Sequence, residues 1–319
     1  MPIPEVVREL HASDRFLVTV HVNPDGDALG ALLGMVRLLD GLGKHAVPVM
    51  PEPVPPRYRF LAGADRVMTV PEAEKAGPFD AMIVLDVGDY DRIGDVQQLF
   101  RHGMRLVNID HHISNKCFGE ACWIDTGASA SCEMLVELFR EAKVAIEPDV
   151  AELLYTGIMT DTGRFRFSNT TAKVFAVCAN LVSRGADPEK ITERIYYRAQ
   201  YDTLRTMGRM LERIELFEEG SLAFSHLAES EAGSDTEGFI DKLMSIETVQ
   251  VAALIRPVGD REWKFSLRSK CDVNVSDLAA PFNGGGHAKA AGGKVTGSLD
   301  EAKQQVVEAC INALRQQKG

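Results

Sequence analysis

No stretch of about 18 consecutive apolar residues occurs anywhere in the chain, so no transmembrane helix is expected. The first thirteen residues carry Glu5, Arg8 and Glu9 and lack an apolar core, so no signal peptide is expected there. No two of the six cysteines, at 117, 122, 132, 178, 271 and 310, stand in a C-x-x-C pair, which sets aside zinc-ribbon and thioredoxin-like readings. Their spacing suggests no disulfide framework either, and the expectation is reduced thiols in a cytoplasmic protein. Positive charge is short: 35 Lys and Arg stand against 46 Asp and Glu, a formal net charge of −11. Duplex-DNA binders draw most of their affinity from Lys and Arg on phosphates, so this chain does not fit that class. A short nucleic-acid substrate in one local pocket stays open, as does a protein that gathers carboxylates around cations. Internal repeats and low-complexity tracts are absent from the sequence.

What is present is ordinary globular composition, 45% hydrophobic and 25% charged, which at 319 residues buries a large core without disulfides or structural metal. At about 150 residues per domain, the length predicts two domains. Residues 16–22, 81–85 and 105–109 are short apolar, β-branched runs that read as buried strands. Helical patterns follow or separate them at 28–39, 95–102, 129–141, 149–159 and 171–183. This alternation predicts an α/β domain: a mostly parallel sheet with helices on both faces. The proline-rich stretch 47–56 is expected to be a surface loop. Residues 188–217 are long, charged and free of internal proline, and read as one or more helices bridging two domains. Beyond residue 220 the pattern becomes a strand at 221–227, a hairpin from 249–258 to 262–268 around Gly259-Asp260, and helices at 238–245 and 298–315. The second domain is therefore expected to be a smaller α+β unit. The boundaries are set at 1–187, 188–217 and 218–319.

Four clusters carry the chemistry. They are His21 with Asp25 and Asp27, then Asp86, then Asp110-His111-His112, then Asp161. Three follow predicted strands, and open α/β sheets place their functional crevice outside the carboxyl ends of the strands. The clusters are thus expected to converge although they are far apart in sequence. Imidazole and carboxylate without thiolate suit Mn²⁺ or Mg²⁺, with Zn²⁺, Co²⁺ or Fe²⁺ as alternatives. The donors outnumber what one open ion needs; two ions sharing a carboxylate use them all. Asp25, Asp27, Asp86 and Asp161 gathered without cations would repel one another and shift their pKa values upward. Each cluster also has a plainer reading: Asp25 as a helix N-cap, Asp86 and Asp161 as turn residues, His111-His112 as surface or core. Their joint occurrence favours the metal site. His11, His45 and His102 lack such company. In the second domain Gly284-Gly285-Gly286-His287 lets a backbone approach an anion closely. The small residues after it are expected to start a helix, and Arg268 and Lys270 lie near in sequence. Tyr196, Tyr197 and Tyr201 read as interdomain core or surface, with base stacking as the alternative.

At these residues the sequence resembles the DHH phosphoesterase superfamily. His21-x-x-x-Asp25-x-Asp27, Asp86, Asp110-His111-His112 and Asp161 match its four amino-terminal motifs, and Gly284-Gly285-Gly286-His287 matches the signature of its DHHA1 domain. One departure is Ala31, where the family often has Ser. Within the superfamily the chain is similar to the compact two-domain members, oligoribonucleases (nanoRNases) that also dephosphorylate 3′-phosphoadenosine 5′-phosphate. The resemblance implies two divalent ions, usually Mn²⁺, with Mg²⁺ or Co²⁺ as alternatives. His21, Asp25 and Asp86 would hold one ion. Asp27, Asp86, His111 and Asp161 would hold the other, with Asp86 bridging. His112 would contact the scissile phosphate or assist proton transfer, and Asp110 would orient a histidine. Arg268, His287 and the N–H groups of Gly285 and Gly286 would grip the substrate. The implied reaction is phosphoester hydrolysis by a hydroxide shared between the ions, on short single-stranded RNA, a dinucleotide or a nucleotide bisphosphate. Partners implied are that substrate and no duplex DNA or membrane, with a homodimer left open. A cyclic or linear dinucleotide phosphodiesterase is the rival enzyme, and an inactive nucleotide-binding regulator the rival from another class.

Overall fold

The computed structural model describes residues 3–318, apart from 235 and 237. Its contacts divide the chain into two compact units, 1–198 and 199–319, a division that falls inside the 188–217 segment. The first unit runs α1 (Ile3–His11), β1 (Arg15–Thr19), α2 (Gly26–Gly41), β2 (His45–Val49), α3 (Val70–Ala76), β3 (Ala81–Leu85), β4 (Arg105–Asp110), β5 (Ala121–Ile124), α4 (Ser131–Glu141), α5 (Pro148–Asp161), α6 (Ala172–Ser183) and α7 (Pro188–Tyr196). Its five strands pair in parallel in the order β2-β1-β3-β4-β5.

Side chains alternate across a strand, and both faces of this sheet are apolar. Phe16, Val18, Ile83, Leu85, Val107 and Ile109 pack with α1, α2, α4 and α5; Leu17, Met82, Val84 and Leu106 pack with α3 and a 3₁₀ stretch, Tyr90–Leu99. Helices therefore cover both faces, as the composition of the strands requires. In α2, Leu29, Leu32, Leu33, Leu38 and Leu39 are almost wholly buried, each contributing about 1.5–3 kcal/mol. Ala31 is fully buried in the same core.

Several local expectations are corrected. The proline-rich stretch begins as an edge strand, β2, rather than a loop: Pro48 pairs with Val18, and an edge position tolerates a residue without an N–H. The expected helix at 95–102 is instead the 3₁₀ stretch, broken at Gly94 where φ is +56°. The four-residue β5 was not anticipated. Cys117 and Cys122 are joined as a disulfide, against the expectation of reduced thiols, while Cys132, Cys178, Cys271 and Cys310 are free.

The second unit runs α8 (Tyr201–Glu212), β6 (Glu215–Phe217), β7 (Leu222–His226), α9 (Phe239–Met244), β8 (Val251–Gly259), β9 (Glu262–Ser269), α10 (Val275–Ala279), β10 (Gly285–His287), β11 (Ala290–Thr296) and α11 (Leu299–Lys318). Its six-stranded sheet has the order β10-β11-β9-β8-β7-β6, antiparallel except for β7 with β8. Trp263, Phe265 and Leu267 face α10 and α11, while Ala252 and Leu254 face α8 and α9. The expected bridging helix is α7 and α8, separated at 197–200, with β6 in its last residues. The helix expected after the triple glycine is absent; the chain turns back as the hairpin β10–β11. Tyr197 and Tyr201 are about three-quarters exposed, whereas Tyr196 packs on the first unit's core. Among the described residues no helix is long and apolar enough to cross a membrane.

Candidate metal centre

Strand order 2-1-3-4-5 reverses direction between β1 and β3, and a crevice opens at such a switch point outside the carboxyl ends of the strands. His21 lies two residues beyond β1, Asp86 directly follows β3, and Asp110 ends β4. Asp25 is the N-cap of α2, accepting the N–H groups of Asp27 and Ala28 at 3.0 Å each. The plainer reading of Asp25 is thus also true, and it fixes the first turn that carries Asp27. Asp161 is the last residue of α5. A Cβ on Gly157 would fall 2.7 Å from Asp27 Oδ1 and 2.8 Å from Cys132 Cβ, so glycine is what lets α5 come this close.

The side chains converge. His21 Nε2 is 3.4 Å from Asp86 Oδ2. His111 Nε2 is 3.4 Å from Asp86 Oδ1, 3.5 Å from Asp161 Oδ2 and 3.9 Å from Asp27 Oδ2. Within the first unit, three sets have donor atoms mutually within 4.8 Å: His21 with Asp25 and Asp86, Asp27 with Asp86 and His111, and Asp86 with Asp110 and His112. Asp86 belongs to all three. It is buried and its backbone sits in the left-handed region at φ +57°, a conformation Asp tolerates better than most residues.

The ring orientations fit a cation. His21 Nδ1 is 2.9 Å from the Val22 carbonyl and His111 Nδ1 is 3.3 Å from that of Ala128, so each Nδ1–H is committed to a carbonyl. Each Nε2 then either carries a proton or turns a lone pair toward positive charge lying between it and the carboxylates. Nitrogen-to-oxygen separations of 3.4–3.9 Å suit two donors facing one ion from about 2.0–2.1 Å each. Four carboxylates, two imidazoles and no thiolate make a donor set for a hard divalent cation.

The electrostatics agree. Burial, and then Asp86, push Asp27 up to about 7, partly offset by His111. Asp161 is also raised well above the ordinary carboxylate range, first by burial and then by its acidic neighbours against the pull of His111. Asp86 is held well below that range: burial opposes its charge, but the His111 and His21 imidazoles facing it at 3.4 Å prevail. Asp86 in turn raises both histidines against the effect of burial. Asp27 and Asp161 are thus the carboxylates at which a proton and a divalent cation would compete. Below about pH 7 a divalent cation must displace the proton on Asp27. Apparent affinity should then fall about tenfold per pH unit for each proton released. Mn²⁺ titrations between pH 5.5 and 8.5 check this; a flat affinity would remove Asp27 from the site.

Sequence reasoning missed two supports. The N-terminus of α4 points at Asp27: the N–H groups of Ser131 and Cys132 donate to Oδ2 and Oδ1 at 2.7 and 2.9 Å, and the Ser131 hydroxyl reaches Asp86 Oδ1 at 3.3 Å. Asn169 Nδ2 ties the carbonyls of Ser129 and Asp161 together at 3.0 and 3.3 Å. Neither leaves a local sequence signal: Asp27 lies more than 100 residues from the α4 amides that hold it, and Asn169 acts on backbone carbonyls, which carry no sequence information. Asp110 does not join a metal-facing histidine. Its Oδ1 accepts from His112 Nδ1 at 2.6 Å, and His112 holds it below the usual carboxylate range against burial.

In the second unit, Arg268 of β9 pairs with Ala290 of β11, which pairs with His287 of β10. Arg268 and His287 thus share one lateral row, two strands or about 9.6 Å apart. Gly285 and Gly286 lie in the same edge strand, with φ +144° at Gly286. The Arg268 Nη1 donates to the Leu267 carbonyl at 3.1 Å, and its Nε is buried with no hydrogen-bond partner among the described residues.

A model of the N-terminal domain of the DHH family matches residues 15–158, and a model of the DHHA1 domain matches residues 219–316. The bifunctional oligoribonuclease and PAP phosphatase NrnA of Thermus thermophilus is 34% identical, over 92% of this chain and 88% of that protein. Its namesake from Bacillus subtilis is 30% identical, over 93% and 94%. The crystal structure of an exopolyphosphatase-related protein from Bacteroides fragilis superposes with a TM-score of 0.91 at 27% identity, covering 99% of this chain and 97% of that one.

Proposed function

The chain belongs to the DHH family, and on that premise we propose that it is a phosphoesterase that hydrolyses short oligoribonucleotides to mononucleotides and dephosphorylates 3′-phosphoadenosine 5′-phosphate. The observation that carries this reading is the convergence of Asp25, Asp27, Asp161, His21 and His111 around the buried Asp86, in a chain whose relatives are named oligoribonuclease and PAP phosphatase over nearly their whole length. His21, Asp25 and Asp86 hold one divalent ion, and Asp27, Asp86, His111 and Asp161 a second, Mn²⁺ being the first choice. Two such ions, when bound, offset the charge of the phosphoryl oxygens and acidify water.

The chain's own groups do the rest. Asp86 joins the two halves of the site, and the α4 N-terminus and the Gly157 contact hold Asp27 in place. The oxygen of water bonds to phosphorus as the bond to the leaving ribose oxygen breaks, and that oxygen takes up a proton. His112, its Nδ1–H given to Asp110, brings Nε2 to that proton or to the scissile phosphate. In the second unit, Arg268, His287 and the N–H groups of Gly285 and Gly286 take a phosphate or terminal nucleotide, as a bidentate arginine and glycine amides do. The buried Nε of Arg268, with no hydrogen-bond partner among the described residues, supports that assignment. The helix expected after the triple glycine would have added its positive end, and it is not part of the grip, because β10 leads into a strand.

The test is hydrolysis with Mn²⁺ and with EDTA on RNAs of two, three, five and twenty-four nucleotides, 3′-phosphoadenosine 5′-phosphate, cyclic di-AMP and pyrophosphate. Mn²⁺-dependent mononucleotide release from the short RNAs, with little from the longest, supports the reading. Selective opening of the cyclic dinucleotide replaces it with second-messenger turnover. Metal binding with no turnover removes the enzyme claim. His287→Ala should raise KM about 10–100-fold, the loss of one hydrogen bond to a charged group, with metal content unchanged. An unchanged KM would take His287 out of the substrate grip.

A further inference from the structure

Asn115, in the loop between β4 and β5, is the hub of a polar network that the metal ligands do not explain. Its Nδ2 lies 2.6 Å from Asp110 Oδ2, 2.8 Å from Asn108 Oδ1 and 2.9 Å from the Val87 carbonyl. Its Oδ1 accepts the Cys117 N–H at 2.7 Å. That last bond settles the orientation of the amide: with oxygen committed to an N–H, the NH₂ must face the three acceptors. Asn108, fully buried, is itself fixed by Nδ2 contacts to the Val84 and Val87 carbonyls at 3.3 Å each. The Asn115 amide therefore has one orientation, its two hydrogens shared among three acceptors of which the charged Asp110 carboxylate is the strongest and lies nearest.

The consequence falls on Asp110. Its two oxygens are divided, Oδ1 to His112 and Oδ2 to Asn115. Without Asn115, the carboxylate keeps the His112 bond on Oδ1 but loses the side-chain donor that fixes Oδ2 and with it the rotation of the group. Asp110 also forms, with Asp86 and His112, a set whose donor atoms are close enough to hold an ion. We propose that Asn115 is a positioning residue that keeps Asp110 as the hydrogen-bond partner of His112 and out of the metal ligand set. This rests on the reading of His112 as the group that meets the substrate.

The experiment is a cycle of Asn115→Ala, Asp110→Ala and the double variant, with Asn115→Asp alongside. Asn115→Ala should lower kcat about 10–100-fold, as loss of a ligand's or catalyst's outer partner does, with KM, Mn²⁺ content and Tm near wild type. The double variant should be no worse than Asp110→Ala, because Asn115 acts only through Asp110. Asn115→Asp keeps the shape and the Cys117 bond but turns an oxygen on Asp110, so it should lose more than Asn115→Ala; a merely space-filling role predicts the reverse order. If Asn115→Asp fails to fold, the alanine cycle decides. An unchanged kcat, losses that multiply in the double variant, or a fall in Tm that accounts for the loss would overturn the proposal.

A readout independent of turnover separates this from failure of the hydrolase reading. In the Mg²⁺-loaded full chain, ¹H–¹⁵N spectra of ¹⁵N-histidine protein, assigned with His112→Gln, should show a downfield His112 Nδ1 proton. Its loss in Asn115→Ala supports the proposal even if no phosphoester is cleaved. Its persistence there, or its absence from wild type, overturns it.

Discussion

Replacing Asp86 with asparagine should abolish both metal retention and hydrolysis. Asn tolerates the left-handed backbone at φ +57° as Asp does and keeps the side-chain shape, so the variant should fold. What it loses is charge, at the one residue common to the three candidate ligand sets within the first unit. His21 and His111 then lose the carboxylate that each faces at 3.4 Å, and the proposed two halves of the site lose their link. The fall in kcat/KM should exceed the about 10²–10³-fold of a single lost oxyanion donor, since a ligand to both ions is removed rather than one hydrogen bond. Elemental analysis of the purified variant should show Mn²⁺ well below that of wild type. Asp86→Ala should behave the same way, with an added loss of stability from the strained backbone. Retained metal-dependent turnover in either variant would sink the assignment.

That Asp86 could be singled out from sequence follows from how a parallel sheet is built. Residues 81–85 are uninterrupted apolar residues because both faces of β3 are covered, and the first polar residue after such a run marks the carboxyl end where a crevice opens. His21 and Asp110 were located by their place at the carboxyl ends of the other two runs, each of which is interrupted once near its end, by Thr19 and by Asn108. The same logic gave less for β5, where Ala121-Cys122-Trp123-Ile124 is too short to carry a pattern, and for β2, where Pro48 signals a loop unless the strand is known to lie at an edge. It misled at β10–β11. Ala290-Ala291-Gly292-Gly293 has no side chains to impose a period, and the strand exists because its backbone pairs with β9 along seven residues. Asn115 and the α4 N-terminus were illegible for a related reason: a side-chain amide or a helix end acquires meaning only from which carboxylate the fold brings to it.

His112→Ala carries the second large effect, and it separates two roles that the sequence left together. Elimination of a positioned general acid or base costs about 10²–10⁴-fold, so kcat should fall within that span. Metal content should hold. Although His112 falls in one candidate ligand set, its Nδ1 is spent on a 2.6 Å bond to Asp110 and lies 3.7 Å from Asp86, which describes an oriented imidazole rather than a ligand turned inward. Loss of Mn²⁺ with the substitution would reverse that view and make His112 a ligand. With metal retained, the leaving group tells the roles apart. A nucleoside monophosphate ester of p-nitrophenol departs without needing a proton, so proton donation by His112 predicts that this substrate is nearly insensitive to His112→Ala while RNA dinucleotides lose the full factor. A histidine that only neutralises the phosphoryl oxygens predicts an equal loss on both, since the charge there develops whatever the leaving group. The Asp110 bond favours the first outcome, because with Nδ1–H given to the carboxylate the ring is held in one orientation and proton transfer falls to Nε2.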